Sequence, residues 1–101
     1  MRMFEEVIET RCPLIKWSGD KASWFFIILS GDVVGEIHYA AMGRTGGFGS
    51  VKVRATIGDT TWETSLFPSK EMGGFMLPVK AAVRKAEGLA EGDEVALTLR
   101  I

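Results

Sequence analysis

The sequence predicts a mainly β protein with two short helices: a small, partly open β-barrel of five to six strands, in the order β-β-α-β-β-β-α-β. Three observations carry this expectation. Residues 48–67, FGSVKVRATIGDTTWETSLF, read as two alternating runs joined by Gly58-Asp59. Gly at the first central position supplies the positive φ of a type II′ hairpin turn. That turn sets Ile57 opposite Thr60, Ala55 opposite Trp62, Val53 opposite Thr64 and Val51 opposite Leu66, a largely apolar face. The other face then opposes Thr56 to Thr61, Arg54 to Glu63 and Lys52 to Ser65, and a one-residue slip would scramble both faces. Second, Val95, Leu97, Leu99 and Ile101 alternate with Glu94, Ala96, Thr98 and Arg100, as in a strand with one buried face. Third, long strands in only 101 residues leave costly edges unless the sheet curls and closes. An open sheet with both helices on one face is the alternative.

Along the chain, Met3 to Arg11 reads as a strand, with Pro13 ending or bending it because proline lacks a donor. Leu14 to Trp17 continue that strand beyond the break, and Ser18 to Lys21 form a polar turn. Ala22 to Leu29, ASWFFIIL, is apolar on both faces. A strand of that kind is expected to be covered on both, by the barrel interior and by a packed helix. Ser30 and Asp32 are good caps for a helix whose Val33, Val34, Ile37 and Ala41 share one side, and Gly43 stops it. GRTGGFGS, residues 43–50, leads into the hairpin. Gly74 to Leu77 is a short strand. Pro78 precedes a second helix with Val79, Ala82, Val83 and Ala86 at helical spacing. Gly88 allows a left-handed cap against which Leu89 packs, and a turn at Glu91-Gly92-Asp93 launches the last strand.

Composition narrows the function classes. With 47% hydrophobic and 25% charged residues, one soluble globular domain spanning residues 1–101 is expected. A formal net charge of −1 argues against a general polyanion binder but leaves room for a local basic patch. Cys12 and His38 are single, so no intrachain disulfide and no zinc site of several Cys and His ligands can form. His38 is expected on a helix surface, Cys12 as a small buried side chain, and Trp17, Trp24 and Trp62 as core or pocket walls. No apolar run approaches the ~18–20 residues of a membrane span. The N-terminus lacks a signal-peptide core, so a cytoplasmic protein with no membrane contact is expected.

Motifs for chemistry are weak. Gly46-Gly47-Phe48-Gly49-Ser50-Val51 overlaps the tail of a kinase glycine loop. Arg44 stands at its first glycine position, however, and neither an HRD nor a DFG element follows. No Walker A sequence occurs. Ser65 is not at a nucleophile elbow, and the carboxylates of Glu5-Glu6 and of Glu91, Asp93 and Glu94 do not form an acid/base pair. No catalytic residue, metal or cofactor is expected. The basic residues are more informative. From Arg44 to Lys85 seven basic residues face three acidic ones. Lys80 and Arg84, spaced i, i+4, lie away from the Val79/Val83 stripe, and Lys52 and Arg54 share the hairpin's polar face with Ser65. These five form the candidate site for a phosphate or carboxylate. The alternative is an ordinary solvated surface whose charges pair with Glu63 and Glu87.

Taken together, SWFFIIL, then GGFGSVKVRATIGDTTWETSLFP, then GGFMLPVKAAVRKAEGLAEGDEVALTLRI resemble a bacterial family, domain of unknown function nineteen-oh-five. The resemblance is most specific in IGDTTWETSLFP and LPVKAAVRKAEGL-x-x-GD. It implies a small, partly open β-barrel, of a kind also found ahead of YdeI/OmpD-associated modules, and implies no activity. Leu77 to Leu99 is also similar to the core of swapped-hairpin transcription factors of the AbrB and MazE kind, which bind DNA as dimers. The leading expectation is a non-enzymatic binding domain for an anionic small ligand, peptide or partner protein. A nucleic-acid-binding homodimer and a small enzyme using Ser65 or Glu63 at a barrel mouth are the alternatives.

Overall fold

A computed structural model describes residues 4–43 and 49–101. The glycine-loop residues Arg44, Gly46, Gly47 and Phe48, together with Met3 at the expected start of the first strand, lie outside the described residues. Among the described residues six strands, β1 (Val7–Ser18), β2 (Ser23–Ser30), β3 (Val51–Ile57), β4 (Thr60–Ser69), β5 (Gly74–Pro78) and β6 (Glu94–Arg100), and two helices, α1 (Asp32–Ala40) after β2 and α2 (Ala81–Glu87) after β5, follow one another in the expected order. They close a barrel in the spatial order β1-β2-β5-β4-β3-β6, every neighbour pair antiparallel. The expected barrel is therefore present, and its sheet closes on itself, with β4 and β5 joined through Phe67–Ser69 alone.

The hairpin has the register its sequence dictates, from Ile57↔Thr60 to Val51↔Leu66. Gly58 has φ 57, whereas Asp59 is not among the residues of positive φ, as a type II′ turn requires. Across it, the Arg54 and Glu63 side chains approach to 3.5 Å, and the Thr56 and Thr61 hydroxyls hydrogen-bond at 2.8 Å.

β1 differs from its expected bounds. It begins at Val7 and runs unbroken through Pro13 to Ser18. Its first half pairs with β6, from Val7↔Arg100 to Pro13↔Glu94, and its second half with β2, from Leu14↔Ile27 to Ser18↔Ser23. Pro13 sits where β1 passes from one partner to the other, so its missing donor interrupts neither ladder. At the crossing, Leu14 N–H donates to the Asp93 carbonyl and Gly92 N–H to the Leu14 carbonyl, both at 2.8 Å. The expected turn before β6 is thereby tied to β1. Asp93 tightens that turn by accepting the Ala90 N–H on its carboxylate at 2.8 Å.

The two helices cover opposite mouths. α1 leaves the end of β2 and lies against Glu6–Ile8 and the β4–β5 turn, burying Val33, Ile37 and Ala40. Its N-cap is Gly31 rather than Ser30 or Asp32, and no side chain caps it. Gly31 takes φ 77, which places the chain across the mouth at once and leaves no cap geometry for either neighbour. His38 is exposed, its ring 5.2 Å from that of Phe75.

α2 covers the other mouth. Val83 is the buried residue of the helix, and Val79, expected within it, is buried just before its start; Ala82 and Ala86 are exposed, because a seven-residue helix over a narrow opening presents little of itself to the core. Gly88 adopts the expected left-handed cap, and Leu89 N–H donates to the Arg84 carbonyl at 2.9 Å. Between the helices, Leu14, Ile27, Leu29, Val53, Ala55, Leu66, Leu77, Leu97 and Leu99 belong to one continuous core that also takes in Cys12. The interior is packed with side chains, so a chemical site has to lie outside.

Candidate functional site

The expected helix cover on the outer face of β2 is absent. Ile27 and Leu29 point into the core, whereas Trp24 is 53% exposed and Phe26 and Ile28 are half-buried. α1 turns away over the mouth instead, since Gly31 redirects the chain immediately after β2. The outward side chains join across strands: Ile15↔Phe26↔Pro78 links β1, β2 and β5, and Ile28↔Met76↔Phe67 links β2, β5 and β4. The result is an apolar wall, extended by Trp17 and Trp24, whose ring centroids are 4.9 Å apart at 37°. A side chain at Gly19 would crowd the Trp17 ring and touch that of Trp24, so the bare turn backbone leaves room for the pair. Against this wall lies an open groove of about 480 Å³, bounded on the far side by Met72 and Glu71 of the β4–β5 turn.

The groove leads into a smaller, polar notch of about 270 Å³ under α2, and the two share Trp24, Phe25 and Pro78. Trp62, Glu63 and Thr64 of β4, Lys80 at the N-cap of α2 and Arg84 within that helix complete the notch. Arg84 is fixed here. Its guanidinium carbon lies 3.7 Å from the Phe25 ring centroid, and its Nε–H donates to the Val79 carbonyl at 3.2 Å. Those two contacts leave the terminal nitrogens of the fork for another partner. Lys16 Nζ lies 5.9 Å from the same ring.

Of the five residues singled out in the sequence, Lys80 and Arg84 share this notch. Lys52, Arg54 and Ser65 lie next to it on the outer face of the β3–β4 hairpin, separated from it by Glu63. The charge pairing expected of an ordinary surface is present at Glu63 and absent at Glu87 among the described residues. Glu63 pairs with Arg54, and Glu87 accepts the Thr60 hydroxyl at 2.5 Å. Among the described residues no carboxylate comes within ion-pair distance of Lys80 or Arg84. Arg54 is further occupied by the Phe4 ring, 4.6 Å from its guanidinium carbon, and it stands directly opposite Arg100 on β6.

Sequence reasoning missed the aromatic groove. Its signal was SWFFIIL itself: a run apolar on both faces is equally the mark of a strand under a helix and of one showing an apolar face to water. Among the described residues no group of three His, Cys, Asp or Glu is placed to hold a metal ion. No described helix is long and apolar enough to cross a membrane.

A family model described as Domain of unknown function (DUF1905) matches residues 11–99. No curated protein matches the chain. The two stretches that carry the resemblance meet at the α2 mouth, where Thr60 bonds Glu87 and the bare Gly58 leaves room for the Glu87 carboxylate.

Proposed function

The chain belongs to the family described as Domain of unknown function (DUF1905), and we propose that it is a non-enzymatic binding domain whose recognition site is the Lys80/Arg84 notch, taking a carboxylate or similar anion. One observation carries this reading. Arg84 is held by Phe25 and the Val79 carbonyl with no acidic partner among the described residues, next to a second unpaired cation. A guanidinium fixed in this way presents a ready fork to a planar anion, and little side-chain entropy remains to be lost on binding. Lys52, Arg54 and Ser65 flank the site and contribute to the local field. A cytoplasmic setting fits the single buried thiol of Cys12.

The packed interior counts against an enzyme working in a barrel mouth, since Val79 and Val83 fill the opening nearest Glu63. The nucleic-acid reading gains no support from the hairpin wall, where outward rows run Glu63–Arg54–Arg100–Val7 and Thr61–Thr56–Thr98–Glu9. The test is a titration of isotope-labelled protein with benzoate, followed by amide shifts. The expected result is movement of residues 23–25, 62–64 and 79–84, abolished by Lys80→Ala with Arg84→Gln. Shifts that survive the double substitution would place the anion elsewhere.

A further inference from the structure

We infer that the notch and the aromatic groove are one composite site, and that its occupant is an extended segment of a partner protein carrying a carboxylate side chain next to bulky apolar ones. This rests on the anion-binding reading of the notch and adds the class of ligand. Three features of the wall lead to it.

The first is continuity. Trp24, Phe25 and Pro78 line both concavities, so a ligand whose anion is held by Arg84 has its neighbouring atoms against the Trp24 indole. An anion alone would leave the groove unused. The groove is apolar on the floor, with Phe26, Met76 and Pro78, and on both banks, with Trp17 and Met72. Exposed apolar surface of this kind, rimmed by polar groups, is characteristic of protein interaction sites. Its aromatic and methionine content is that of interface cores.

The second is charge complementarity along the groove. Lys16, Lys80 and Arg84 stand at the α2 end, and Glu71 stands at the β4–β5 turn, the α1 end. β5 runs between these ends from Gly74 to Pro78, four steps of about 3.3 Å, or roughly 13 Å. That length suits about four residues of extended chain. A segment with an acidic residue at the α2 end and apolar residues toward Glu71 matches both the sign and the spacing. A lipid or a hydrocarbon would match the floor but not the two charged ends.

The third is the closed barrel, which restricts how a peptide can bind. Along the groove floor β1, β2, β5 and the Phe67–Ser69 end of β4 are paired side by side, so a partner gains little there by adding a strand. Recognition must come from side chains set into the groove, with the Trp pair as anchor. The two rings already lie against each other, with the bare Gly19 beside them, so the anchor is formed before the ligand arrives.

The test is selection of random twelve-residue peptides displayed on phage against the full chain, followed by affinity measurement on the enriched sequences. The expected enrichment is Asp or Glu within a few residues of two or more of Trp, Phe, Leu and Met. Trp24→Ala is expected to weaken the enriched peptides about thirtyfold, the scale of an interface anchor. Met72→Ser, a change in an exposed turn that leaves the core intact, is expected to weaken them severalfold. Arg84→Gln is expected to weaken them and to remove the preference for the acidic residue. If Arg84→Gln acts while Trp24→Ala and Met72→Ser do not, the anion notch stands and the composite site is overturned. If none of the three acts, both readings fall. Failure to enrich any peptide overturns the inference, as does a self-association in sedimentation that Trp24→Ala abolishes, since a second copy would then be the occupant.

Discussion

On the wall built from β3, β6 and the adjoining halves of β4 and β1, outward rows read Glu63–Arg54–Arg100–Val7 and Thr61–Thr56–Thr98–Glu9. On the opposite wall, from β2, β5 and the other halves of β1 and β4, they read Ile15–Phe26–Pro78 and Ile28–Met76–Phe67. Both walls send equally buried side chains inward: Val53 and Leu99 from the first, Ile27 and Leu77 from the second. The interior therefore does not distinguish them. Apart from exposed Val7 at its edge, the first wall obeys the alternation expected of a sheet with one wet face, while the second departs from it on every strand. A fold needs only the inward half of each strand. What the second wall shows to water has to be explained by something other than folding.

Five substitutions sharpen that contrast, the largest first. Leu99→Ala and Leu77→Ala remove fully buried side chains from opposite walls, and each is expected to cost about 2–5 kcal/mol in denaturant unfolding. A large inequality between them would show that the walls also differ inside. Gly74→Ala places a methyl against the Leu29 carbonyl where β5 crosses β2. Because backbone cannot move aside as a side chain can, about 1–3 kcal/mol of destabilisation is expected in the same assay. Trp24→Ala loses a half-exposed, tilted ring pair, and about 0.5–1.5 kcal/mol of stability is expected to go with it. Loss of folding in this variant would make the tryptophan a structural residue rather than an anchor. Arg54→Ala on the polar wall breaks an exposed pair and relieves the opposition to Arg100, so about 0.2–1 kcal/mol, diminishing with salt, is the upper range.

The polar wall was legible in the sequence and the apolar wall was not, for a physical reason. Val51 to Leu66 alternate on both strands around a turn that admits one geometry, so local information determines the register completely. β6 alternates as cleanly. SWFFIIL carries no such information, because absence of alternation says that both faces are apolar without saying what meets them. Pro13 misled in a similar way. It reads as a stop when a strand is imagined with one partner, and it is accommodated where a strand changes partners. The candidate site was half legible. Lys80 and Arg84 could be paired by helical spacing, but Phe25, far away in sequence, is what orients Arg84. The Glu87–Thr60 bond, spanning 27 residues, likewise removes from the surface a carboxylate that composition alone would have set against the lysines.

The most direct test of the account is to map where an aromatic anion binds. Anilinonaphthalene sulfonate joins an apolar ring system to one negative charge, and amide shifts of the isotope-labelled native chain would report its position. Shifts are expected in residues 16–26 and 72–80 and at Arg84, and none in 52–56 or 98–100. Shifts centred on Arg54 and Arg100, or none on the Trp17–Trp24 wall, would contradict that expectation.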